Sequence, residues 1–79
     1  MEYILKVLTK IKWDKRLDQK EFSVVYTDRI SDRYTEIPYL SIKRIEGSFM
    51  VIEGIDEEIF IPLHRIHGVK QKDKIIWNR

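Results

Sequence analysis

The hydrophobic period of this chain changes once, and that change limits the fold more than any other feature. Ile4, Val7, Leu8 and Ile11 recur at helical spacing, while Glu2, Lys6, Thr9, Lys10 and Lys12 fall between them. Residues 3–12 are therefore expected to form an amphipathic helix. From residue 22 the pattern shortens: Phe22, Val24 and Tyr26 alternate with Ser23, Val25 and Thr27, as in a half-buried strand. A single helical stripe followed by strand patterns has to bury that stripe against a sheet.

The remaining segments fill in that sheet. Trp13-Asp14-Lys15-Arg16-Leu17-Asp18 breaks the helical pattern and reads as a connection, and the first strand is expected to end at Asp28-Arg29. Residues 30–36 are polar with little periodicity. Pro38 holds Ile37 extended and predicts a strand running into Tyr39, Leu40 and Ile42. Gly47-Ser48 reads as a turn between strands at residues 42–46 and 49–53, and residues 54–58 as an acidic turn. Ile59, Phe60 and Ile61 form a short strand that stops at Pro62, which has no N–H for the ladder. Residues 64–71 and 74–78 look like the arms of a closing hairpin around Lys72-Asp73. No internal repeat, low-complexity tract or linker is evident. A chain of 79 residues hides only about 60% of its unfolded surface, so one core and one domain over residues 1–79 are expected. Its 43% hydrophobic content suffices for that core. The expected fold class is α+β, with an N-terminal helix packed on a small, strongly curved antiparallel β-sheet or barrel of about five strands.

Composition narrows the chemistry. The absence of cysteine removes disulfides, thiolate catalysis and sulfur-ligated metals, and suits a reducing cytoplasm. The longest apolar runs, at residues 49–52 and 59–63, are far shorter than a membrane span, so a cytoplasmic protein without a membrane partner is expected. Fifteen Lys and Arg stand against thirteen Asp and Glu, a net charge of +2, so an anion site has to come from local clustering. The lysines of the helix complement its dipole and read either as a solvated face or as part of a basic surface. The abundance of Lys, Arg and Glu also suits a thermophile's surface.

Most of the candidate chemistry lies in the closing hairpin. With Lys72-Asp73 as a two-residue loop, Gly68 stands opposite Trp77 and makes room for its indole, and Ile66 stands opposite Arg79. His64, Ile66, Gly68, Ile75, Trp77 and Arg79 then share one face, with His64 diagonal to Arg79, while Arg65 and His67 share the other. Two histidines on opposite faces cannot serve as acid and base on one phosphate, nor close a metal tetrahedron. Neither a nucleophile elbow nor a Gly-rich phosphate loop is present. No catalytic residue, metal or cofactor is therefore expected. His64 reads as a partly buried, backbone-bonded histidine or as an anion or base contact. Trp13 and Trp77 read as packing residues or stacking platforms, and Arg65 as a solvated charge or a phosphate fork.

Taken together, Lys10-Ile11-Lys12-Trp13-Asp14, Tyr26-Thr27-Asp28-Arg29, Ile61-Pro62-Leu63-His64-Arg65-Ile66 and Trp77-Asn78-Arg79 resemble the small RNA cyclic-group end-recognition domain of archaea. The resemblance covers nearly the whole chain, and its most specific part is Pro-x-His-Arg-Ile followed by Trp-x-Arg. It implies a stand-alone or fused, non-catalytic module that recognises RNA ends bearing a cyclic phosphate, in RNA repair or processing. Carried over by position, it implies RNA contacts from Trp13, Arg16, Arg29, His64, Arg65 and Arg79, supported by Asp14, Asp28 and Trp77. The two aspartates would orient arginines, since a bare carboxylate repels an anion. Asn78 stands where an acid is expected in many relatives. A cyclic phosphate is a compact monoanion beside a ribose and a base, suited to an Arg fork, a His donor and one aromatic surface. The implied partners are RNA ends and an RNA repair or processing enzyme. Two alternatives remain: an RNA cyclic phosphodiesterase or RNA-processing enzyme using His64, and a protein-interaction module for a repair enzyme.

Overall fold

The structure is a computed structural model that describes residues 3–28 and 32–78. Helix α1 (Ile4–Trp13) buries Ile4, Val7, Leu8 and Ile11, the stripe read from the sequence. It stops where Asp14 turns extended and donates its backbone N–H to the Lys10 carbonyl oxygen at 2.9 Å. A 3-10 turn at Gln19–Glu21 follows, capped by the Asp18 carboxylate, which accepts from the Lys20 N–H at 3.0 Å. The chain then forms β1 (Phe22–Thr27), β2 (Tyr34–Pro38), β3 (Ile42–Glu46), β4 (Phe49–Glu53), β5 (Glu58–Pro62), β6 (Ile66–Gln71) and β7 (Lys74–Asn78).

These strands make two antiparallel sheets, ordered β2-β1-β6-β7 and β3-β4-β5. The α+β class is as expected, but among the described residues there are seven strands in two packed sheets rather than about five in one sheet or barrel. Strand β2 is hard to see in the sequence because it is an edge strand whose Tyr34, Glu36 and Pro38 side chains are exposed. Its pairing with β1 supplies what its own hydrophobic pattern lacks.

The same device joins the two sheets twice. Ile37-Pro38 and Ile61-Pro62 each end a strand, a 3-10 turn follows at Tyr39–Ser41 and at Leu63–Arg65, and the next strand starts at Ile42 and at Ile66. Proline, at φ −63° and −58°, cannot donate to a ladder, so the strand yields to a turn that carries the chain into the other sheet. Tyr39 and Leu40 are therefore not part of an extended strand, and His64 and Arg65 lie in a turn rather than in a hairpin arm. The Ile-Pro-x-x-x-Ile signature at residues 37–42 and 61–66 is an internal repeat, contrary to the sequence reading. Each copy is followed at once by a β-bulge: Lys43 falls between the pairs Ile42↔Ile52 and Arg44↔Val51, and His67 between Tyr26↔Ile66 and Val25↔Gly68.

The core lies between the inner faces of the sheets, under α1. Leu8 and Ile11 of the helix meet Phe22 and Val24 of β1, Met50 and Ile52 of β4, Ile61 of β5, and Ile66 and Val69 of β6. Burying such a side chain fully is worth about 1.5–3 kcal/mol, so the helix is held by its stripe rather than by intrinsic propensity.

The closing hairpin turns at Lys72-Asp73 as expected, with Gln71↔Lys74 and Lys70↔Ile75 paired, but a bulge then shifts the register to Val69↔Trp77 and Gly68↔Asn78. Trp77 therefore packs against the core beside Val69, and Ile75 lies on the outer face. Gly68 is not a slot for the indole; among the described residues an added Cβ would meet the Trp77 carbonyl oxygen, at 3.5 Å. Arg79, its expected pairing with Ile66 and its diagonal to His64 lie outside the described residues, as does Arg29. Among the described residues no helix is long and apolar enough to cross a membrane.

Candidate nucleic-acid interface

The second repeat positions the candidate site. Because a 3-10 turn and a bulge separate His64 from His67, the alternation expected of a continuous strand is lost. Both histidines then line one open recess of about 570 Å³, together with Arg65, Thr27, Asp32 and Tyr34. The inference that the two histidines point to opposite sides is thus corrected. His64 is exposed and Arg65 half-buried. Tyr34, paired with Thr27 across β1 and β2, meets the His67 ring edge-on with centroids 5.2 Å apart and planes at 80°, which fixes the imidazole from one side.

A second groove of about 500 Å³ adjoins the first and shares Thr27, His64 and Arg65 with it. Its other walls are Tyr26 and Asp28 from the end of β1, Phe49, and residues 59–62 of the edge strand β5. Burial, and secondly the charge of Asp28, push the Tyr26 phenol above its ordinary value, so it stays a hydrogen-bond donor. The polar recess offers a guanidinium, two imidazoles and two hydroxyls, a donor set suited to phosphate oxygens. Asp32 at its wall and Asp28 next door keep it from being a strongly cationic patch. Among the described residues no group of three or more His, Asp and Glu could hold a metal ion.

The other sequence candidates lie elsewhere. Trp13, exposed at the end of α1 under the Lys12 ammonium at 5.2 Å, lines a groove with Tyr39 and Leu40 of the first repeat and Lys43 and Arg44 of β3. Asp14 accepts from the Arg16 backbone at 3.0 Å and from its Nε and Nη2 at 3.1 Å each. Those bonds hold the Asp14 carboxyl below its ordinary value. The recess and groove around His64 include Arg65 and Asp28, but not Trp13, Asp14 or Arg16. Trp77 is packed against the core.

The sequence reading did not single out Thr27, Tyr34, Phe49 or Phe60 as candidates, and set His67 aside, although all five line the recess or the groove. Tyr34 and His67 meet only through the pairing of β1 with both β2 and β6, which no local pattern reveals. The repeated Ile-Pro signature was the available signal, since it places His64 in a turn.

The fold and this recess define a small α+β domain with an open polar surface site. The chain belongs to the MJ1316 RNA cyclic group end recognition domain family, whose model it matches over residues 1–79. It is 32% identical over 72 residues to a UPF0248 protein of Metallosphaera sedula, covering 91% of this chain and 86% of the relative. A UPF0248 protein of Thermococcus sibiricus is 32% identical over 81 residues, covering 98% and 85%. A third, from Saccharolobus islandicus, is 25% identical over 72 residues, covering 87% and 89%. No solved structure matches the chain.

Proposed function

We propose that the recess lined by Thr27, Tyr34, His64, Arg65 and His67 binds the terminal cyclic phosphate of an RNA, as a recognition module in the cytoplasm acting beside an RNA repair or processing enzyme. The observation that carries this reading is the meeting of one arginine, two histidines and two hydroxyl side chains in one open recess. The family's description, RNA cyclic group end recognition, supports it. A cyclic phosphate keeps two non-bridging oxygens for the Arg65 fork, and the imidazole and hydroxyl donors reach oxygens that an unmodified hydroxyl end lacks. Three oligonucleotides that differ only in their terminal group test it. The cyclic phosphate should bind most tightly, the open phosphate less so and the hydroxyl end least; equal affinity for all three would sink the reading.

A second reading rests on the shared placement of the histidines. With His64 and His67 in one recess, one imidazole can take a proton from water as the other gives a proton to the departing ribose oxygen, opening the ring to a monoester. Incubation with the cyclic-phosphate oligonucleotide separates the two. An unchanged end after prolonged contact supports recognition alone, whereas conversion to the monoester that H64A abolishes makes the protein a phosphodiesterase.

A further inference from the structure

Resting on the reading of the polar recess as the phosphate site, we propose that the adjoining groove holds the nucleobase of the terminal nucleotide against Phe49 and Phe60. Phe49 and Phe60 are 41% and 48% exposed, on the outer face of the sheet β3-β4-β5. They sit diagonally in the β4–β5 register, where Phe49 opposes Pro62 and Phe60 opposes Val51. Their rings make an edge contact, with centroids 6.2 Å apart and planes at 74°. Single exposed apolar side chains are ordinary on a protein surface, but these two line one groove with Ile59, Ile61 and Pro62.

The order of chemistry along the groove supplies the argument. It runs from aromatic and aliphatic walls at Phe49, Phe60 and Ile59 to His64 and Arg65, which it shares with the polar recess. A terminal nucleotide has the same order: a flat base, then ribose, then the charged phosphate. Rings at a steep angle cannot both stack on one base, so one offers its face and the other closes the side with its edge. Among the described residues β5 is an edge strand paired with β4, and its residues 59–62 line the groove. The Tyr26 hydroxyl, which lines the same groove, can bond the rim of the base or a ribose hydroxyl. A volume of about 500 Å³ lies within the usual range of small-molecule sites, roughly 300–1,000 Å³.

The experiment titrates the full chain with two short RNAs that both end in a cyclic phosphate, one on a terminal adenosine and the other on a terminal ribose without a base. The abasic end should bind about tenfold more weakly, in line with the loss of one stacked base. F60A and F60L should each lower affinity for the adenosine end to that of the abasic end, and leave the abasic end unchanged. F60L keeps apolar bulk on the strand, so it decides the matter if F60A lowers the melting temperature. Equal affinity for both RNAs, insensitive to F60L, overturns the base subsite and leaves the phosphate reading standing. Failure of the unaltered chain to bind either RNA overturns the phosphate reading itself, and the subsite with it.

Discussion

At the residue scale, the protein separates side chains that make the fold from side chains free to meet a ligand. His64 is exposed and Arg65 half-buried in a short turn, and neither belongs to the buried core. Trp77 is held against that core beside Val69. H64A and R65A should therefore each cost about 1.5–3 kcal/mol of RNA-end affinity, the worth of a charge-assisted hydrogen bond, with the melting curve unmoved. W77A should do the reverse and melt early, because Trp77 packs against the core; its partial burial puts the loss at about 3 kcal/mol, the low end for such a truncation. Melting and binding curves for the three variants check this. An R65A that melts early beside a W77A that stays folded but loses the RNA end would mean the core and the site have been exchanged.

At the scale of elements, the three-stranded sheet is clamped on its outer face by charge. Arg44 of β3 reaches across Val51 of β4 to Glu58 of β5, with Nη1 and Nη2 2.9 and 3.0 Å from the two carboxylate oxygens. Lys43 meets the same Glu58 at 2.9 Å and Glu53 at 3.0 Å. The Arg44 bonds first, and then those of Lys43, pull the Glu58 carboxyl from its ordinary value of 4.5 to about 2. A carboxylate depressed in the folded state adds stability above pH 4.5 and loses it as the pH falls toward about 2. An acid titration followed by circular dichroism should show stability declining through that window, and E58Q should flatten the decline. An E58Q titration identical to that of the unaltered chain would show that the clamp contributes nothing; solvent access on both sides keeps its worth small in any case. Two residues of this clamp, Lys43 and Arg44, also border the Trp13 groove, so the first repeat uses its bulge for a charge network where the second uses its bulge for a recess.

At the scale of the whole molecule, a net charge of +2, Asp32 in the recess and Asp28 in the adjoining groove leave room for few phosphate contacts. The logarithm of affinity should therefore fall with the logarithm of salt at a shallow slope, about 0.7 per single-strand phosphate engaged and summing to no more than about two. A steep slope would point to a long basic track instead of an end site. The sequence alone determined the elements whose cause is local: the α1 stripe, the alternation of β1, the Gly47-Ser48 turn and the Lys72-Asp73 turn all depend on neighbours a few residues apart. It also determined the likeness to the RNA-end family, because the Pro-x-His-Arg-Ile segment is contiguous. Tertiary structure decided the rest. Strand β2 exists by virtue of β1, the register of Trp77 depends on a bulge in β7, and His64 and His67 share a recess because a turn and a bulge intervene between them. Period-2 reasoning assumes that a strand never gains a residue, and each bulge adds one, reversing the face of every side chain beyond it. The candidate site lies where one such reversal, at His67, and the turn before it meet strands from distant parts of the chain, and no local pattern encodes that meeting.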